Sequence, residues 1–150
     1  MLRLSLVLAV FLLALLTGCA TSQSVQLGQF GGSKQLSTIA LVTSDGNSAD
    51  MDGAIKSAFL AQGISSKQAL PAGTRKSSEV DVIVDYTDQW RWDLAMYLRW
   101  VAINMYDAET GNLLANARWD NSAFHGFQDY KVVVKSLVDG MLEKVKARPK

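Results

Sequence analysis

The chain has 150 residues, with 15 basic and 14 acidic side chains, one histidine and one cysteine, for a formal net charge of +1. That length suits one domain with a sizeable core, and the charge balance supplies neither a basic footprint for nucleic acid nor a polybasic patch for anionic lipid. A single cysteine and a single histidine exclude a disulfide framework and metal sites built from His/Cys clusters, and no cofactor signature accompanies them.

The first element is an apolar run, Leu4 to Leu16, behind Arg3 and closed by Thr17-Gly18-Cys19. It is too short to span a bilayer, which takes ~20 apolar residues, and it has the charged start and small-residue end of a cleavable signal. Leu16-Thr17-Gly18-Cys19 resembles the lipobox of bacterial lipoproteins. The resemblance implies cleavage after residue 18, acylation of Cys19 and anchoring in a membrane through its acyl chains. Each buried methylene adds ~0.8 kcal/mol, so two or three chains hold almost irreversibly. In the resembled family the residue after the cysteine guides sorting, and by that resemblance Ala20 implies the outer membrane, facing the periplasm. Arg3 is the only charge in residues 1–18, so the remainder is formally neutral.

Residues 19–36 are rich in Ser, Gln and Gly and read as the acylated cysteine followed by a flexible stalk. Gly31-Gly32-Ser33 lacks the Gly-Lys-Ser/Thr ending and the preceding strand of a phosphate loop. A single domain over 37–150 follows. Ile39-Ala40-Leu41-Val42 is a continuous apolar run, as expected for a strand covered well by its neighbours. Asp45-Gly46-Asn47 turns the chain, and Ser48 or Asp50 caps a helix. Met51, Ile55, Ala58 and Phe59 lie along that helix at helical spacing, and Gly63 stops it. Residues 64–79, with Pro71, Gly73 and Arg75-Lys76-Ser77-Ser78, read mostly as loop.

Val80 to Tyr86 alternates as a half-buried strand. Further strands are expected over about Ala95–Tyr106 and Asn112–Asp120, joined by a turn at Glu109-Thr110-Gly111-Asn112. From Asp129 onward, Tyr130, Val133, Val134, Leu137, Val138, Met141, Leu142 and Val145 form the apolar stripe of a second helix. The predicted order is βαβββα: an α+β, two-layer sandwich with a small mixed sheet and both helices on one face. The first strand should run parallel to a neighbour through its helical crossover.

This order of elements, with Gly63-Ile64, Val80-Asp81-Val82-Ile83-Val84 and Asp107-Ala108-Glu109-Thr110-Gly111, resembles small uncharacterised lipoproteins of Gram-negative envelopes. Their periplasmic domains are similar in layout to the N-terminal domain of the Tol-system propeller protein. The resemblance implies an envelope interaction or assembly role with another envelope protein, and no functional residues can be transferred from it.

The most unusual local feature is the aromatic stretch Tyr86, Trp90, Trp92, Tyr97 and Trp100. A tight hairpin at Trp92-Asp93 would put Val82 and Val84 on the helix-covered face with Ile103 and Val101. Asp81, Ile83 and Asp85 would then share the other face with Leu98, Trp100, Ala102 and Asn104. Left uncovered, that face would expose Leu98 and Trp100, and face and hairpin together would present Trp90, Trp92, Tyr97, Leu98 and Trp100 as a partner-binding surface. The alternatives are an ordinary aromatic core plug and a glycan-stacking platform. His125 with Ser122 and Asp120 has no nucleophile elbow around it. Asp81, Asp85, Asp88 and Asp93 read as a solvated face in preference to paired catalytic or calcium-binding carboxylates. The reading is a non-enzymatic interaction module. The rivals are a carrier of a small apolar or lipid-like ligand between sheet and helices, and a small hydrolase using Asp81, Asp85 or His125.

Overall fold

The structure, a computed structural model, describes residues 21–29, 35–122 and 126–148. Cys19, Gly31-Gly32-Ser33 and His125 lie outside the described residues. The elements in chain order are β1 (Ser22–Leu27), β2 (Thr38–Leu41), α1 (Ala49–Ala61), β3 (Ser65–Ser66), β4 (Val82–Asp93), β5 (Ala95–Asp107), β6 (Leu113–Asp120) and α2 (Tyr130–Lys146). The sheet has six strands in the order β1-β6-β5-β4-β2-β3. β2 runs parallel to β3 and β4, and the remaining pairs are antiparallel. The architecture is the α+β, two-layer sandwich with a mixed sheet, and both helices pack on one face.

Residue patterns account for each element. β2 is apolar throughout because both of its faces are covered. Ile39 and Leu41 join the main core, while Ala40 and Val42 enter a smaller cluster with Val80, Ile83 and Ala108. Helix α1 starts where the Ser48 hydroxyl accepts a hydrogen bond from the Met51 amide at 3.2 Å. Asp50 and Asp52 favour the positive end of its dipole. Helix α2 is capped by Asp129 on the Lys131 amide at 2.9 Å, and Lys144 and Lys146 sit in its last turn. Val133, Val134, Leu137, Val138, Met141, Leu142 and Val145 of the expected stripe are all buried. They pack with Phe59, Val84, Ile103 and Met105, each side chain of this size contributing ~1.5–3 kcal/mol by burial.

The stalk expectation is corrected between Ser22 and Leu27. This segment is an edge strand, antiparallel to β6 from Ser22 opposite Asp120 to Leu27 opposite Ala115. Its polar composition is that of an edge, with Val25 alone turned against the core. Gln23 donates to the Ser136 hydroxyl at 3.1 Å and Lys144 donates to the Val25 carbonyl at 2.6 Å, tying the strand to α2. The segment over 64–79 is mostly loop, as expected, and contributes only the two-residue β3 and a bridge from Leu70 to Val42.

A second correction is the β4–β5 register. The turn centres on Leu94, and Val82 pairs with Asp107, four residues from the expected partner Ile103. An even displacement keeps Val82, Val84, Val101 and Ile103 on the helix face. Beyond Trp100 the pairing slips by one, with Gln89 opposite Trp100 but Trp90 opposite Leu98. The extra residue, Arg99, turns Leu98 onto the helix face, away from the surface it was expected to share with Trp100.

Two polar groups lie within the helix-covered layer. The Tyr86 hydroxyl donates to Asp52 at 2.6 Å, and burial followed by the Asp52 carboxylate pushes its ionisation well above the ordinary range. Asp88 accepts from the Trp90 indole, which opposes a larger upward shift of its carboxyl caused by burial. A carboxyl raised in the folded state favours folding while protonated and loses that contribution as pH rises through its folded value. Asp88→Asn, which retains the acceptor for Trp90, should therefore be more stable than the native chain at neutral pH. The advantage should shrink on acidification, as read by urea denaturation at both pH values.

Two glycines should respond to alanine with opposite signs. A Cβ on Gly28, where β1 leaves the sheet, would lie 1.7 Å from the Leu113 carbonyl oxygen, whereas one on Gly53 of α1 meets nothing within 4 Å. Gly28→Ala should cost about 1–3 kcal/mol and speed amide exchange over Val25–Gly28. Gly53→Ala should gain about 0.5–1 kcal/mol through helix propensity, both read by chemical denaturation.

Candidate interaction surface

The face of the sheet opposite the helices is polar and aromatic, and strand alternation decides what it carries. At one end the loop over 67–80 folds across it, Leu70 and Val80 covering Ile83 and Ala40. Beyond that cover a row runs across three strands. Asn104 donates to Asp85 at 2.7 Å, and Asn116 donates to the Asn104 side-chain oxygen at 2.6 Å. Arg75 closes the row through an ion pair with Asp85 at 2.8 Å and lies 4.3 Å over the Tyr106 ring. Burial, reinforced by Asp85 and opposed by Arg75, raises the Tyr106 phenol.

The next residues along these strands centre on Trp100, which is half-buried. Its indole N–H donates to Gln89 at 3.0 Å, and the Arg118 guanidinium sits 4.6 Å over its ring. Arg118 is itself held by two hydrogen bonds of 2.7 Å to Asp120, which push its ionisation further upward. Thr87, paired with Ala102 between these two groups, is exposed.

The residues expected to form one partner surface are divided. Leu98 is 2% exposed and belongs to the main core; Tyr97 is 8% exposed and meets Phe127 edge-on at 6.1 Å. Trp90 is partly buried against the core and makes a T-shaped contact with Tyr130 at 5.4 Å. Trp92 is 72% exposed near the hairpin tip. Trp100 lies on the helix-free face in contact with Gln89 and Arg118, with the Asn104–Asn116 pair further along the strands; Gln89 and Asn116 were not singled out in the sequence. The polar alternation Asn116, Arg118, Asp120 along β6 was the available signal.

Asp81 is a structural clamp. One of its carboxylate oxygens accepts from the Ser37 amide at 2.9 Å, the Thr38 amide at 3.0 Å and the Thr38 hydroxyl at 3.1 Å. It borders a surface cleft of about 550 Å³ that also includes Lys76, Ser78 and Glu109. Asp85 is not among that cleft's lining residues and is engaged with Arg75 and Asn104. Asp120 is engaged with Arg118, and the chemistry proposed for His125 falls outside the described residues. Among the described residues no three His, Cys, Asp or Glu side chains come together as a metal site, and no helix is long and apolar enough to cross a membrane. Between sheet and helices, Val84, Ile103, Phe59, Leu137 and Met141 are fully buried against one another, in the layer where a carried ligand would sit.

No protein-family model matches the chain, and no curated protein matches it in sequence. Solved structures are similar in fold. A point variant of the PelC dodecamer from Paraburkholderia phytofirmans superposes with a TM-score of 0.56 at 16% identity, covering 86% of this chain and 100% of that one. The PelC dodecamer itself gives 0.54 at 14% identity, over 87% and 100%. A PDZ domain protein from Parabacteroides distasonis gives 0.51 at 11% identity over 90% of this chain, which spans 38% of that longer protein. At these identities the likeness is one of fold.

Proposed function

We propose that this chain is a lipid-anchored, periplasm-facing lipoprotein of the outer membrane that acts by binding another envelope protein, without catalysis. Acyl chains on Cys19 hold it, and the helix-free sheet face around Trp100 is the contact surface. The observation that carries the reading is the fixed posture of Trp100, braced by Gln89 on one side and Arg118 on the other. A large aromatic group held in place before contact loses little conformational freedom on binding, and tryptophan is enriched at interface hot spots. The candidate acid–base groups are by contrast engaged in structural contacts, Asp81 with Thr38 and Asp85 with Arg75. PelC, of like fold, forms a dodecamer, and a further copy of this chain is one protein such a face could bind. Confinement to two dimensions raises the effective concentration of a membrane-bound partner.

A photoreactive residue at exposed Thr87 in intact cells should capture one protein of defined size, while the same residue at buried Leu98 should capture none. Trp100→Ala should fold as the native chain and weaken binding by about 2 kcal/mol or more, roughly thirty-fold in affinity. Capture of only lipid or glycan at Thr87, or of nothing, would overturn the protein-interface reading.

A further inference from the structure

The β4–β5 hairpin reaches beyond the rest of the sheet. Ser22, Asp120, Trp100 and Gln89 lie side by side across β1, β6, β5 and β4. Past that row β4 continues to Asp93 and β5 begins only at Ala95. At ~3.3 Å per residue the tip projects ~13 Å further. Trp92 pairs with Met96 on the side that lower down carries Trp90 and Leu98, and Leu94 forms the turn. Trp92, Leu94 and Met96 are 72%, 88% and 59% exposed. Turns this tight ordinarily use Asn or Gly, yet here a leucine takes the positive φ of 60° and stands at the most exposed point. Phe127, also exposed, packs edge-on against Tyr97, whose pair with Arg91 lies on the other side of the hairpin. The other exposed large apolar residues described, Leu27, Leu60 and Val132, sit on other elements.

The tether points the same way. β1 begins at Ser22, in the row from which the hairpin projects, and it runs antiparallel to β6, so chain preceding Ser22 leaves the sheet at the hairpin's end. Cys19 precedes Ser22 by three positions, a span of at most ~10 Å. The lipid attachment and the apolar tip are thus within reach of one surface. Arg91 and Asp93 alternate with the apolar residues along β4, and the chain's near-neutral balance offers no polybasic attraction, so the tip's affinity would be apolar, with tryptophan suited to the membrane–water interface.

We infer that Trp92, Leu94 and Met96 form a lipid-contacting tip that enters the same bilayer leaflet that holds the acylated Cys19. The inference rests on the lipoprotein reading above and adds a second, non-covalent contact to it. To test it, the full-length chain is produced in a Gram-negative host, with Leu94→Cys or, as a second variant, Met96→Cys. Each is labelled with a polarity-sensitive dye and reconstituted into phosphatidylethanolamine–phosphatidylglycerol vesicles with or without brominated acyl chains. Asn112→Cys, at the opposite end of the sheet, is the reference, and the mass of each protein reports acylation.

The expected result is blue-shifted emission at positions 94 and 96, quenched by brominated chains, with no change at 112. An acylated protein whose labels at 94 and 96 stay as wet as that at 112 overturns the tip and leaves the anchor standing. If the protein is unacylated, its Cys19 thiol also takes the dye, so each variant is remade with Cys19→Ser; a quenched tip then overturns the anchor and leaves the tip, and a wet one overturns both. A blue shift without bromine quenching means that protein, not lipid, covers the tip, and overturns the inference.

Discussion

One extra residue in β5 sets the character of this molecule's aromatic region. Side chains on a strand alternate between faces, so a single inserted residue reverses the faces of everything beyond it. On the sheet side of Arg99, the odd positions Val101, Ile103 and Met105 face the helices; on its far side, Leu98 does. Trp90 and Leu98 consequently close the core beneath Tyr130, Trp100 is left on the opposite face, and Trp92 and Met96 carry the apolar side past its cover. The irregularity is tied down by the chain that follows β6. The Arg99 guanidinium donates to the Asn121 carbonyl, the Asn121 amide donates to the Arg99 carbonyl at 2.9 Å, and the buried Asn121 side chain donates to Leu98 at 3.3 Å. A regular ladder would place Leu98 beside Trp100 and leave the core open at the hairpin's base.

What was legible in the sequence follows from how local each signal is. Helix α2 was readable from its stripe and from Asp129, and α1 from Ser48 and Gly63, because caps and 3.6-residue periodicity are written within a few turns. The faces of Val82, Val84, Val101 and Ile103 were readable because alternation survives an even error in register. The register itself was not: it depends on where the hairpin turns, and Leu94 bears none of the usual turn chemistry. The insertion at Arg99 has no composition signature either, so the sequence grouped five residues into one surface that the fold distributes among core, sheet face and tip.

The edges were harder still. Ser22–Leu27 resembles a linker because an edge strand needs few apolar residues, and its backbone partners on β6 lie far along the chain. What makes it a strand is non-local: the close approach at Gly28, Val25 against α2 and the Lys144 contact to its carbonyl. The loop over 67–80 was readable as irregular, but its role was not. It shields Ile83 and Ala40 and positions Arg75 over Tyr106, bounding the uncovered part of the sheet.

The ordering of β1 also changes how a lipid anchor would act. A stalk over 19–36 would let the domain reach away from the membrane and turn freely, so the lipid would raise local concentration and do little more. With β1 beginning at Ser22, at most ~10 Å of chain would separate an acylated Cys19 from the sheet, and the strands would point their hairpin end at the anchoring surface. A second contact at that end would hold the strands steeply to the bilayer, so that the helix-free face around Trp100 looks along the membrane. Partners diffusing in the same membrane would then meet that face laterally and in a restricted orientation. The entropy otherwise lost in aligning two bodies would be lost on anchoring instead, leaving more of the contact energy to appear as affinity.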